Sequence, residues 1–173
     1  DSSGQLMFYV KQKLFKLKEA VNVFGDQAQT ELKYTIGANK VIDFSAQYFF
    51  KDANGLDVGS VKRQGMKSLW KASYDIYDGD EVEFTIKEDN PWIKFLDALF
   101  SEIPVIGLVA KYLFNPKYNV TRPDGTRVAR LIKQPAFFEG KFEITKEADL
   151  DEYEERRVAL SLLMMVLLER KRG

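Results

Sequence analysis

The carboxylates Asp75, Asp78, Asp80, Glu81 and Glu83 lie close together in the chain. They are the groups best placed for acid–base work or for holding a cation. A glycosidase-type pair needs two of them facing each other across a cleft at a defined separation. Asp78-Gly79-Asp80 reads more simply as a turn, with the other acids pointing outward from strands. The EF-hand spacing of a calcium loop is absent. Histidine and cysteine are missing altogether. That removes Ser-His-Asp triads, Cys-His dyads, His-ligated zinc, thiolate chemistry and disulfides. No glycine-rich loop leads from a strand into a helix, so no nucleotide cradle is expected. The reading is of a non-enzymatic chain with no catalytic residue, no metal site and no cofactor.

Binding chemistry is better represented. Residues 60–71 hold Lys62, Arg63, Lys67 and Lys71, no acid, and Trp70 among the cations. Lysine and arginine favour an anionic lipid surface, and tryptophan favours the headgroup layer. The competing reading is a solvated hairpin whose charges protect a sheet edge. Arg122, Arg127, Arg130 and Lys133 form a second cluster, read as strand surface charge. Alternation places Arg127 and Lys133 on one side and Arg130 on the other. Lys plus Arg equals Asp plus Glu at 26 each, so the totals give no argument for a nucleic-acid partner.

Strands must position most of these groups. Alternating runs are expected around Phe8–Val10 and over 14–18, 20–24, 31–36, 42–50, 71–77 and 81–87, with a return strand from Val58. Further runs cover 118–121 and 128–133, and a hairpin through Glu139-Gly140 leads to Phe142, Ile144 and Lys146. Asn54-Gly55 and Asp124-Gly125 are hairpin turns. They open two similar stretches, Asn54–Lys62 and Asp124–Ile132, an internal repeat. Between Asn90-Pro91 and Asn115-Pro116 the period becomes helical. Trp92, Phe95, Leu96, Leu99, Phe100 and Ile103 share one face, Pro104 interrupts, and Val105, Leu108, Val109, Tyr112 and Leu113 resume it. This helical insertion over 92–114 either packs on the protein or meets a membrane or protein partner through Trp92, Phe95, Leu99, Phe100 and Leu113.

The last apolar run, Val158–Leu168, contains one hydroxyl, Ser161. Acids precede it and bases follow, the order that a helix dipole favours. Asp149 with Glu152 reads as its capping box, so a helix over 150–171 is expected. With no polar face it must be surrounded. Its apolar part is about 16 Å long, too short for a bilayer. About twelve antiparallel strands need something apolar to cover, and a closed sheet of that size needs a filling. The expected fold is mainly β (α+β): one domain over 6–173, a closed antiparallel barrel around this central helix. Residues 1–5 read as an expression remnant outside the fold. No secretory signal leads the chain, so a cytoplasmic location, peripheral to a membrane, is expected.

This plan resembles the tubby C-terminal-like superfamily, and from Met7 onward the chain is similar to its LURP-one-related branch, with phospholipid scramblases as more distant relatives. The residues that carry the resemblance are Tyr48–Gly55, Val58–Arg63, Ser73–Asp78 and the terminal helix. The resemblance implies a twelve-stranded barrel around a helix. It also implies that Gly59-Ser60-Val61-Lys62 matches the strand that carries phosphoinositide-binding cations in tubby proteins. Lys62 takes the place of an arginine there, and Ser60 replaces a lysine. Two functions follow as expectations. One is a module that docks on anionic phospholipid through Lys62, Arg63, Lys67, Trp70 and Lys71. The other is a protein-interaction or regulatory domain that uses the 92–114 face.

Overall fold

A computed structural model of the chain describes residues 5–11, 20–39, 46–64, 72–89, 117–134 and 141–170. Strands form where apolar and polar residues alternate. They are β1 (Val21–Phe24), β2 (Leu32–Ala38), β3 (Gln47–Asp52), β4 (Asp57–Arg63), β5 (Ser73–Asp78), β6 (Glu81–Glu88), β7 (Lys117–Thr121), β8 (Arg127–Gln134) and β9 (Lys141–Lys146). One helix follows, α1 (Glu152–Arg170). Each strand pairs antiparallel with the next, so the sheet is a simple meander from β1 to β9. Tyr34 and Ile36, Tyr48 and Phe50, Tyr74 and Ile76, Phe84 and Ile86, and Tyr118 and Val120 turn to one face and are buried there with Leu160, Leu162, Met164 and Met165 of α1.

The closed barrel of about twelve strands is not what forms. Among the described residues there is one open sheet of nine strands, and β1 and β9 are its unjoined edges. Closure requires the first and last strands to share a ladder. Among the described residues the outer edge of β1 meets only an isolated bridge, Tyr9 to Phe24. β9 is largely exposed along both faces, and Ile144 is 52% exposed. The helix bears the mark of an open cover. At about 100° per residue, its fully buried positions from Arg157 to Met165 sweep an arc of roughly 200°. Ala159, Leu163, Val166 and Leu167 occupy the remaining side and are only half-buried. The segments expected at 14–18 and 92–114, and the start of the 42–50 run, lie outside the described residues.

The helix begins two residues later than the pattern Asp149/Glu152 suggests. Asp151 is the N-cap, its Oδ1 accepting the Glu154 N–H at 2.8 Å, while the Glu154 carboxylate accepts the Asp151 N–H at 2.9 Å. This is a reciprocal capping box one turn before the apolar run.

The repeat is structural. The β3–β4 turn has Gly55 N–H on Asp52 O at 3.0 Å and Asp52 N–H on Leu56 O at 2.9 Å. The β7–β8 turn repeats both bonds, Gly125 to Arg122 and Arg122 to Thr126, at 3.0 and 2.8 Å. Each hairpin carries its irregularity at the matching place, after Phe50 in one and after Val120 in the other.

Ser161 is fully buried, and its hydroxyl has no partner among the described residues. Its neighbour in sequence, Leu160, is equally buried and wholly apolar. Leu160→Ala should therefore lower unfolding free energy by about 2–5 kcal/mol through the cavity it opens. Ser161→Ala should leave stability unchanged or raise it by up to about 1 kcal/mol. Urea unfolding monitored by circular dichroism distinguishes the two.

Candidate functional site

A meander sends its connections alternately to two ends. The turns between β1 and β2, β3 and β4, β5 and β6, and β7 and β8 gather at one end, with the start of α1. Arg157 marks that end of the helix, and its guanidinium lies near the Val58 carbonyl and the Asp78 carboxylate. The far end of β4 and the start of β5, and the far end of β6 and the start of β7, lie at the opposite end, where α1 finishes beside Tyr74. Both regions read from sequence as contact surfaces, 60–71 and 92–114, are thus attached to strand ends at this second end. Lys67, Trp70 and Lys71 lie outside the described residues, as do Trp92, Phe95, Leu99, Phe100 and Leu113.

Lys62 and Arg63 are described, and strand alternation separates them. Lys62 faces outward, half-buried, and pairs in register with Gln47 and Asp75. Asp75 accepts hydrogen bonds from Gln64 at 2.7 Å and Thr85 at 3.3 Å. Ser60, also outward, is covered by Gln47, whose amide donates to its hydroxyl at 2.8 Å. Arg63 turns inward and is buried. Its guanidinium lies 5.8 Å from the Tyr74 ring centre and 3.9 Å from Glu169. The Tyr74 hydroxyl donates to Glu169 at 2.7 Å. Burial, reinforced by the Glu169 charge, pushes the Tyr74 hydroxyl far above the ordinary tyrosine range. Burial does the same to Tyr118, with the buried Glu88 as the next cause. Arg63 therefore belongs to a buried polar cluster that ties the end of α1 to β4 and β5.

Further lysines reach the surface at this end from separate strands: Lys87 on β6, Lys117 on β7 and Lys141 on β9, all exposed. They form no run in the sequence. Only the meander's alternation of ends, traced strand by strand, gathers them.

At the other end most of the arginines are held in ion pairs. Arg157 donates to Glu83 through two bonds of 2.6 and 2.7 Å. Asp78 lies 3.4 Å from the same guanidinium. Two of the carboxylates that could have formed an acid–base pair are thus ion-pair partners, while Asp80 and Glu81 are exposed around the turn. The Arg157 stem crosses Gly59. A Cβ there would sit 2.6 Å from Arg157 Cδ and 2.6 Å from the Tyr77 carbonyl oxygen, at a φ of +132°. Glycine at this position is a packing requirement. Arg122 grips Glu154 at 2.6 and 3.1 Å and lies 5.1 Å over the Phe84 ring. Arg127 and Arg130 do not point opposite ways as simple alternation requires, since both meet Glu147. The irregularity after Val120 buries Val128 and Ala129 in succession and cancels the alternation.

Arg157→Ala leaves Glu83 without its bidentate partner in a mostly buried place. It should cost about 3 kcal/mol in chemical unfolding. The Arg122 hydrogen bond holds the Glu154 carboxyl below its usual value of 4.5. A carboxyl depressed in the folded state stabilises above its unfolded pKa, and that contribution disappears as pH falls through the folded one. Unfolding free energy should therefore drop from about pH 5 towards pH 2, and Arg122→Ala should flatten part of that slope.

No curated protein and no solved structure matches the chain. The sequence model of one family matches residues 6–152, which takes in all nine strands and ends as α1 begins. The chain belongs to the LURP-one-related family.

Proposed function

We propose that this domain is a non-enzymatic binding module that docks peripherally on anionic phospholipid. The observation that carries the reading is topological: the cationic stretch 60–71 and the apolar stretch 92–114 are both joined to strand ends at one end of the sheet. Charge and an apolar contact on one end are what interfacial binding requires. Lys62 faces solvent there with no ion pair among the described residues. The similarity of Val58–Arg63 to the tubby strand supports an anionic ligand of this kind. The apolar run of α1 is committed to the core, and no described helix is long and apolar enough to cross a membrane.

Sedimentation with vesicles tests the proposal. The protein should pellet with equimolar phosphatidylcholine and phosphatidylglycerol, release as salt is raised, and stay in solution with phosphatidylcholine alone. Equal recovery from both vesicles at every salt concentration would overturn it. Binding to neither vesicle would favour a protein partner for the 92–114 face.

A further inference from the structure

Equal numbers of acids and bases conceal an uneven distribution of charge among the described residues. At the turn end, Asp57, Asp80, Glu81 and Asp124 are exposed and make no ion pair among the described residues. Most cations of that end are committed: Arg122 to Glu154, Arg127 to Glu147, Lys146 to Glu155, Arg156 to Glu152 and Arg157 to Glu83. Lys51, exposed on β3, is an exception. At the opposite end the balance of the described residues tips towards cations. Lys62, Lys87, Lys117 and Lys141 make no ion pair among the described residues. Of the acids nearby, Glu88 is buried, while Asp75, Asp89 and Glu143 accept hydrogen bonds from the neutral side chains Gln64, Thr85, Asn119 and Gln134, so the four lysines stand against three carboxylates there.

We propose that Lys62, Lys87, Lys117 and Lys141 form the contact with an anionic bilayer, so that the domain docks with the α1 C-terminus towards the membrane and the acidic turns away from it. The inference rests on the phospholipid reading above and adds the surface and the orientation. The four lysines spread from β4 to β9, five strand spacings or about 24 Å of sheet, a width suited to many headgroups at once. Lysine is a hydrated point charge on a flexible stem, which fits a diffuse charged surface better than a shaped pocket. The acidic end does not oppose this. From Arg157 to Glu169 the helix rises about 18 Å. Screening length at physiological salt is about 8 Å, so repulsion from the acidic turns is lost across that distance.

The test compares two triple variants with the same change in net charge, on equimolar phosphatidylcholine–phosphatidylglycerol vesicles. Lys87→Glu/Lys117→Glu/Lys141→Glu should lower partitioning at least about tenfold. Lys33→Glu/Lys51→Glu/Lys146→Glu, at the turn end, should stay within about twofold of the parent. Equal losses would show that net charge governs binding and would overturn the orientation while leaving phospholipid binding in place. Full binding by the first variant would also overturn it. A parent that fails to sediment would remove both readings. Because the chain has no cysteine, single Asp89→Cys and Asp80→Cys variants can carry an environment-sensitive dye on otherwise unaltered protein. The dye at position 89 should shift to the blue on vesicles, and the dye at 80 should not. The opposite pattern, or equal shifts, would overturn the orientation.

Discussion

Every other element answers to a helix that has no polar face. The run Val158–Leu168 cannot rest on a surface, so the sheet must give it an apolar lining over most of its circumference. The alternation of strands β2 to β8 supplies that lining, and polar contacts set the depth of insertion. Arg157 fixes one end to Glu83 and the β4 backbone, and Glu169 fixes the other to Tyr74. Between these residues the helix rises about 18 Å, while β4 extends about 17 Å from Val58 to Arg63. The two spans match, so a slip of one helical turn would break both attachments together. Arg157 also dictates a glycine on β4, which links a residue type in one hairpin to a side chain of the distant helix.

Much of the fold was legible because its signals are local. Period-2 runs located strands such as Leu32–Ala38, Ser73–Asp78 and Glu81–Glu88, and paired turn residues located the β3–β4 and β7–β8 hairpins. The helix was legible from apolarity and flanking charge. Its cap is ambiguous in the sequence because Asp149 and Asp151 each have a glutamate three residues later, and spacing alone cannot choose between them. Closure was not legible. Nothing in a strand's own pattern says whether its outer edge meets another strand, and a count of alternating runs fits a ring and an open meander alike. The facing of the arginines around Glu147 is hidden for a related reason, since the sequence does not show where a one-residue irregularity falls.

The candidate site was legible in part. The 60–71 run announced its charge, but alternation divides it, with Lys62 outward and Arg63 joining the buried cluster around Glu169. Lys87, Lys117 and Lys141 are isolated in sequence, so only the strand order brings them together. The acidity of the opposite end has its own cause in turn chemistry. Asp52 and Asp124 accept backbone N–H groups within tight turns, Asp26 does so in the β1–β2 connection, and Asp57 accepts the Gly59 N–H at the irregular start of β4. Tight turns favour aspartate for these bonds. Turns that gather at one end therefore bring negative charge with them, and the segregation follows from hairpin construction.

The attachments of α1 also bear on the order of assembly. Tyr74 meets Glu169 across 95 positions, Arg157 reaches Glu83 across 74, and the Val58 carbonyl lies 99 positions from the same arginine. Contacts so distant form slowly, because the loop they close must be gathered before it is rewarded. During synthesis the nine strands leave the ribosome before the helix that fills them. Until it arrives, Phe50, Ile76, Phe84 and their neighbours have no lining partner, and the growing sheet presents an apolar face together with unpaired edges. Such an interval favours aggregation and capture by chaperones. The core is complete only when the helix, last in the chain order of elements, takes its place against the strands.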